Sequence, residues 1–426
     1  MIDRIKEIVA QTSADNYKIT NVKTMAHEFF FIDRKLEMNR IKEVDHTFLT
    51  IFKKIDDEKY LGSTSQEIHP NISDDEMIKI IDQMLYSAQF VKNPYYELPQ
   101  PQKHVIEQNK KTDALTVAKA MIETILAQDH VKDICINSFE IFVNEKQVRI
   151  VNGNKLDVSY DTLDSQAEII ITAKKDDKEV EIYRNITSST CDIKALANEI
   201  NEAFKIGKDR LIAKKTPTLN TIKVLLSERN VKTMLNYYVD MTNASSKYMQ
   251  ISQYDIDQDI IEASVGDKIS LVGKANIDNS SKNGSYDDDG NPLIDRVLIK
   301  DNICVDFWGN QQFSYYLNRS NPAVFRNFAF SAGSQSATAF MKDPYLHAVE
   351  FSDFQCNTAT GDFAGELRLA YYYDGEKVVP VSGGSIAGNI KTSEKTMLLA
   401  SELVLCDNFQ IPKYICLDNV VITGCE

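Results

Sequence analysis

The sequence predicts an α+β protein: two similar helix–sheet–helix subdomains at the N-terminal side, then a β-rich C-terminal domain with few helices. Three observations predict it. The order helix, about four strands, helix occurs twice before residue 215. Proline-rich breakers stand at Asn93-Pro94-Tyr95-Tyr96-Glu97-Leu98-Pro99-Gln100-Pro101 and at Thr216-Pro217-Thr218. After Lys223 the texture turns to short β segments and turns. A chain of 426 residues also exceeds what one ordinary core organises. The expected divisions are 1–92, a linker over 93–112, a second unit over 113–215, and a C-terminal domain over 221–426.

In order along the chain, residues 2–11 read as a short amphipathic helix. Strand-like segments follow at 17–22, 26–33, 35–43, 47–54 and 59–63. Ser73-Asp74-Asp75-Glu76 is a capping box, with serine at the N-cap and glutamate three residues on. It opens a helix to about Phe90 whose Met77, Ile80, Ile81, Met84, Leu85 and Ala88 share a face. The second unit has a helix over 114–128, strands at 131–137, 139–143, 147–152, 167–174 and 180–186, and a helix after Asp192 that ends near Gly207. Farther on, a helix runs from Ser227-Glu228 to about Asp240, another covers 392–403, and 414–423 is the final strand.

Composition narrows the function. Hydrophobic content of 43% and charged content of 26% are those of a globular protein. The net charge of −14 repels phosphate, which disfavours nucleic acid as a partner. The first residues lack the apolar core of a signal peptide, and no run approaches the ~20 apolar residues that span a bilayer. Seven scattered cysteines without a C-x-x-C read as reduced thiols, so the expected setting is cytoplasmic, with no membrane.

Each chemical motif has a bland reading beside it. The six histidines are His27, His46, His69, His104, His130 and His347, and the closest two are nineteen residues apart. No two can sit on adjacent turns of one helix, as zincin-type metal sites require. His27-Glu28 lies in a strand-like run and reads as a sheet residue. Asp287-Asp288-Asp289-Gly290-Asn291-Pro292 fails the EF-hand pattern, with Ser285 and Arg296 at ligand positions, and reads as a solvated turn. Gly383-Gly384-Ser385-Ile386-Ala387 differs from a G-x-S-x-G nucleophile elbow at its last residue, and its expected setting is strand–turn–helix. Ser385 is thus the one hydroxyl that a stand-alone hydrolase would use, against a reading in which the glycines serve tight packing. Cys356 has Asp353 and Asp362 nearby in sequence, an acidic setting that blunts a thiol. The aromatic residues Phe307, Trp308, Phe313, Tyr315 and Tyr316, and Tyr371-Tyr372-Tyr373, read as core at strand spacing or as the lining of a peptide groove. No catalytic, cofactor-binding or metal-binding residue is assigned.

Several segments, in order, resemble the TldD/PmbA family of peptidases. Tyr60-Leu61-Gly62-Ser63-Thr64-Ser65 is similar to its "G-x-A-S-T" strand end, and Pro94-Tyr95-Tyr96-Glu97-Leu98-Pro99 to its "D-P-Y-x-x-L-P" linker. Asp287 to Pro292 resembles its "D-D-E-G-x-P" turn, with Val297 to Asn302 as the strand after it. Thr360-Gly361-Asp362-Phe363 resembles "T-G-D-F", and Pro380 to Asn389 resembles "P-V-x-G-x-T-I-A-G-N". Asp301-Asn302 and Ser382-Gly383-Gly384-Ser385 depart from the family's pattern. Zinc-bearing members carry H-E-x-x-x-H on the helix that opens the third domain. Here that position falls at about Asn236-Tyr237-Tyr238-Val239-Asp240-Met241, so Asn236, Tyr237 and Met241 stand where the family has His, Glu and His. Cys406 is in the region of the family's third ligand.

The resemblance therefore implies a PmbA/TldE-type subunit with no cofactor of its own. It implies a partner, either a TldD-like zinc-bearing subunit or a second copy in a dimer. It implies an unfolded peptide as substrate, enclosed here and cleaved at the partner's zinc. Two alternatives stand beside it: a hydrolase acting through Ser385 or another constellation, and a homo-oligomeric peptide-binding module without catalysis.

Overall fold

The computed structural model describes residues 1–101, 113–128, 131, 133–219 and 222–425. The first part comprises α1 (Ile2–Val9), β1 (Asn16–Ile32), β2 (Lys35–Ile55), β3 (Tyr60–Glu67), α2 (Asp74–Ala88), β4 (Asn93–Pro94), α3 (Ala114–Gln128), β5 (Ile134–Asn152), β6 (Asp157–Lys175), β7 (Lys178–Ser188) and α4 (Ile193–Ile212). All seven strands lie in one sheet, in the order β4-β3-β2-β1-β5-β6-β7. The two helix–strand units thus share a single antiparallel sheet, joined where β1 pairs with β5 from Lys18↔Asn152 to Ile32↔Ser138.

Two cores form under that sheet. Ile5, Met77 and Ile81 of α1 and α2 pack on Ile19, Leu49 and Ile51. Val117 and Met121 of α3, with Ile200 and Phe204 of α4, pack on Ile136, Ile141, Ile169 and Ile171. The capping box at the start of α2 forms as expected: Ser73 Oγ accepts from Glu76 N, and Ser73 N donates to the Glu76 carboxylate. Asp192 caps α4, accepting from Ala195 N at 3.0 Å.

Strand lengths differ from the sequence expectation. The segments 17–22 and 26–33 are one strand, β1, and 35–43 and 47–54 are one strand, β2. The three segments between 131 and 152 are a single β5. The sequence breaks fall at polar residues such as Lys23 and Asp45, which the ladder carries without interruption. Residues 35–43 are exposed on both faces, so no apolar alternation marks them. Only residues 48–55 of β2 pair with β3, and among the described residues no strand covers the outer edge of 35–46. The helix after Asp192 also runs past Gly207 to Ile212. Gly207 brings helix and sheet close: a Cβ there would stand 3.0 Å from Ala173 Cβ and 3.1 Å from Ile134. The expected linker continues into 102–112, which lie outside the described residues.

The C-terminal part adds β8 (Lys214–Lys215), β9 (Lys223–Ser227), α5 (Arg229–Met241), α6 (Ala244–Tyr248), β10 (Leu271–Lys274), β11 (Arg296–Lys300), β12 (Ile303–Cys304), α7 (Gln311–Tyr316), β13 (Asn327–Phe330), α8 (Ala337–Phe340), β14 (Tyr345–Cys356) and β15 (Asp362–Tyr373). It ends with β16 (Val378–Ser382), β17 (Ser385–Asn389), α9 (Ile390–Ser393), β18 (Leu398–Leu399), β19 (Leu403–Cys406), β20 (Phe409–Pro412), β21 (Tyr414–Leu417) and β22 (Val421–Thr423). One sheet has the order β12-β11-β10-β13-β20-β19, and another is built on β18-β21-β9-β14-β15-β16-β8. Between them, α5 buries Val231, Met234, Leu235, Tyr238 and Val239 in the largest core. Two expectations fail here. The helix expected over 392–403 is only the four residues of α9, followed by two short strands. The strand expected over 414–423 is broken into β21 and β22.

The halves are fastened at the Asp287 turn, which is not the solvated turn that its three aspartates suggest. Asp287 is fully buried, and its carboxylate accepts from the backbone N–H of Asp289, Asn291 and Val324 and from the Asn291 amide. Burial, followed by the neighbouring Asp289, pushes its pKa up to about 6. Asp289 in turn accepts from Lys18 of β1 at 2.7 Å and from Gln311 N of α7. A second fastening is Arg184 of β7, which donates two hydrogen bonds to the Glu350 carboxylate of β14.

Candidate functional site

The segment singled out by the sequence resemblance is α5, and a cleft opens at its N-terminal end. Asn236, Tyr237 and Met241 all lie on α5. The Asn236 amide donates to Asp240 Oδ2 at 3.0 Å, and Thr358 Oγ1 donates to the same oxygen at 2.8 Å. Desolvation pushes the Asp240 carboxyl up, opposed by the Thr358 hydrogen bond. Tyr237 and Met241 are buried among apolar side chains. The fully buried Tyr238 donates its hydroxyl to Glu394 at 2.8 Å. Burial pushes the Glu394 carboxyl up to about 7, with the Tyr238 hydrogen bond acting against it.

A zinc ion does not fit these residues. Asn236 and Asp240 are engaged with each other and with Thr358, and Tyr237 and Met241 offer a phenol and a thioether inside the core. Hard and borderline cations want carboxylate, imidazole or thiolate donors converging on a point. Cys406 is on β19, where burial raises its thiol pKa. Among the described residues no group of three or more His, Cys, Asp or Glu side chains could hold a metal ion.

The other sequence candidates are dispersed. His27 stands in β1, with Glu28 beside it held by Arg40 and by Lys42 at 2.7 Å. His104 and His130 lie outside the described residues. Ser385 is the first residue of β17, and Gly383-Gly384, both at positive φ, turn β16 into it. The setting is strand–turn–strand, which removes the nucleophile-elbow reading; the strand pairs with Glu366 on one side and Thr423 on the other. Gly384 belongs there because a Cβ would stand 2.1 Å from the Thr423 carbonyl oxygen. Cys356 has its thiol pKa raised to about 11, first by burial, then by Asp240 and Asp362. Of the aromatic residues, Phe307 and Trp308 are core, with Trp308 Nε1 donating to Val239 O. Phe313, Tyr315 and Tyr316 are on a helix, α7, not a strand. There Tyr316 meets Tyr96 of the linker edge to face and donates to Pro94 O. Tyr371 hydrogen-bonds Asp209 of α4.

Sequence reasoning missed the cleft itself. A cavity of about 660 Å³ lies between α4 and the sheet of β9, β14 and β21, with Arg184, Lys205, Glu202, His347, Tyr371 and Lys413 on its walls. Ser227 Oγ and His347 Nε2 are 2.9 Å apart in it. Burial, then Lys205, lowers the His347 pKa to about 4, so the imidazole is neutral. A second cavity of about 330 Å³ lies between β7 and β19. Both are lined by Asn198, Glu199, Glu228 and Arg229, so they meet at the start of α5. There Glu228 joins β9 to α5 at φ 46° and ψ −109°, a strained geometry for a residue with a side chain. Desolvation and the neighbouring Glu199 push its carboxyl up. The two walls of the second cavity, β7 and β19, lie far apart in the chain and do not pair, so no local sequence signal marks the space between them.

Residues 219–424 match the PmbA/TldA metallopeptidase C-terminal domain. The C-terminal domain of this chain belongs to the TldD/PmbA family. The TldD/PmbA fold extends over its whole length: TldE from Thermococcus kodakarensis superposes with a TM-score of 0.77 at 15% identity, covering 99% of each chain. A proposed modulator of DNA gyrase from Bacteroides thetaiotaomicron gives 0.80 at 14% identity, covering 99% of this chain and 98% of that one. An uncharacterized protein of Methanocaldococcus jannaschii is 24% identical, over 73% of this chain and 77% of its own length.

Proposed function

We propose that this TldD/PmbA-family chain is a TldE-type subunit that encloses unfolded peptides while a TldD-like partner supplies the zinc and cleaves them. The observation that carries this reading is the closed donor set on α5, where an amide, a phenol and a thioether occupy the positions of the family's metal-binding motif. Glu394, the residue that ends α9, supports it from the other side, since its carboxyl is spent on Tyr238. A partner would find apolar surface on the outer ribbon of β1 and β2, where Ile32, Leu36, Met38 and Ile41 are exposed. No helix among the described residues is long and apolar enough to cross a membrane, which agrees with a cytoplasmic subunit. The net charge of −14 gives the gyrase-modulator naming of some structural relatives no direct DNA contact to rest on.

Affinity purification of the chain from its source cells, followed by metal analysis of the separated chains, tests this. The expected result is an equimolar partner that carries H-E-x-x-x-H and all of the zinc. One tightly held zinc per chain in the isolated subunit overturns the reading. Recovery of a homo-oligomer alone moves it to a peptide-binding module without a protease.

A further inference from the structure

The cavity between β7 and β19 lies between two sheet edges. β7 is the last strand of the N-terminal sheet, and β19 is the last strand of its own. The hairpin of β6 and β7 turns through Asp176-Asp177 from Lys175↔Lys178, so alternate residues of β7 direct their backbone groups away from β6. The hydrogen bonds identify these as the odd-numbered residues. Glu181 O accepts from Arg210, Tyr183 O accepts from Arg184, and Ser189 N, just beyond the strand, donates to Asn279 O. Between these satisfied positions stand Asn185 and Thr187, which both line the cavity. They have no backbone partner on that side among the described residues. Their spacing is that of successive outward groups along a strand, about 6.5–7 Å.

The opposite wall is built alike. β19 and β20 form a hairpin through Asp407-Asn408, with Cys406↔Phe409 closing it. Leu405 is then in the register whose backbone faces away from β20, while its partner Gln410 turns to Ala329 of β13. The floor is apolar, with Met121 and Leu196 beneath and Val404 beside. The rim is acidic: Asp192, Asp278, Asp407, Glu199 and Glu228 against Arg229 alone.

We propose that this groove takes an extended stretch of unfolded peptide, added as a strand to β7 at Asn185 and Thr187, with a lysine or arginine side chain held at the acidic rim. The inference rests on the peptide-enclosing reading and gives it a location on this subunit. Main-chain pairing supplies contact without sequence preference, and the floor takes one apolar side chain. The rim favours cationic segments, by attraction that salt screens. The meeting of the two cavities at Glu228 and Arg229 lets a longer peptide continue along α4.

The test is fluorescence anisotropy with the full chain and a labelled, unstructured ten-residue peptide of Gly, Ser, Ala and Val around one lysine. Thr187→Pro removes the outward N–H, and proline is tolerated on an edge strand. The expected result is binding that weakens at least tenfold in Thr187→Pro, is retained in Thr187→Val, and weakens similarly when glutamate replaces the peptide's lysine. A peptide N-methylated at alternate residues is expected to lose binding to the unaltered chain, an arm that holds even if the proline variant fails to fold. Equal binding of the methylated and plain peptides overturns the groove while the subunit reading stands. Absence of any peptide binding overturns the groove as well, and the subunit reading is then judged separately by the purification experiment.

Discussion

The polar groups on the body of α5 and those at its N-terminal end are arranged in opposite ways. Along the helix they consume one another: Asn236 with Asp240, Thr358 with Asp240, Tyr238 with Glu394. At its start, five carboxylates and one guanidinium line an open groove, where Glu199 pairs with Arg229 and Asp192 caps α4, and the outward backbone groups of Asn185 and Thr187 have no partner among the described residues. The difference teaches that the polar groups along α5 serve the packing of that helix. The backbone left unpaired among the described residues lies beyond the start of that helix, where two sheets end.

The sharpest way to break this comparison is Tyr238→Ala. It empties a fully buried aromatic site and strands the Glu394 carboxyl, so a loss of about 3–5 kcal/mol in urea unfolding is expected. A loss below about 1 kcal/mol would mean that the face is not structural.

The next effect depends on pH. The folded state raises the Glu394 pKa from 4.5 to about 7, so it holds a proton that the unfolded chain releases. That contribution to stability is present below about pH 4.5 and is lost as pH rises through 7. Glu394→Gln keeps an acceptor for Tyr238 and removes the titration. Its stability relative to the unaltered chain is expected to climb between pH 4.5 and 8, by roughly 3 kcal/mol at 1.36 kcal/mol per unit. Parallel urea midpoints of the two proteins across that range would refute it.

The smallest effect is expected in the groove. Arg229 pairs with Glu199 at 3.1 Å with both side chains well exposed, so Arg229→Ala is expected to change stability by less than about 1 kcal/mol. A larger loss in the same unfolding assay would make the groove a structural feature too.

Much of the fold was legible in the sequence because its signals are local. The Ser73 capping box, the face of α2 and the proline breakers each declare themselves within a few residues. The long strands were not legible as single elements. Residues 35–43 are exposed on both faces, and alternation needs one buried face. Nor were the strands from β18 to β22, whose two to four residues are too few to show a period. At the site, the helix that carries Asn236, Tyr237 and Met241 could be read from the sequence, and α5 holds all three. The buried carboxylate of Asp287 could not, because its partner Val324 is thirty-seven residues away. That Asn185 and Thr187 lack an outward backbone partner among the described residues depends on hairpin register and on what does not pair, neither of which residue type records.

The open outer edge of β2 before residue 48 has a consequence for making this protein. An uncovered strand margin with Leu36, Met38 and Ile41 invites copies to stick side by side at high concentration. Lys35, Glu37, Arg40, Lys42 and Glu43 along the same margin oppose that, since each would lose water on contact. Solubility of the chain produced by itself is thus a contest between those two sets, and a capping molecule during expression shifts it toward monodisperse material.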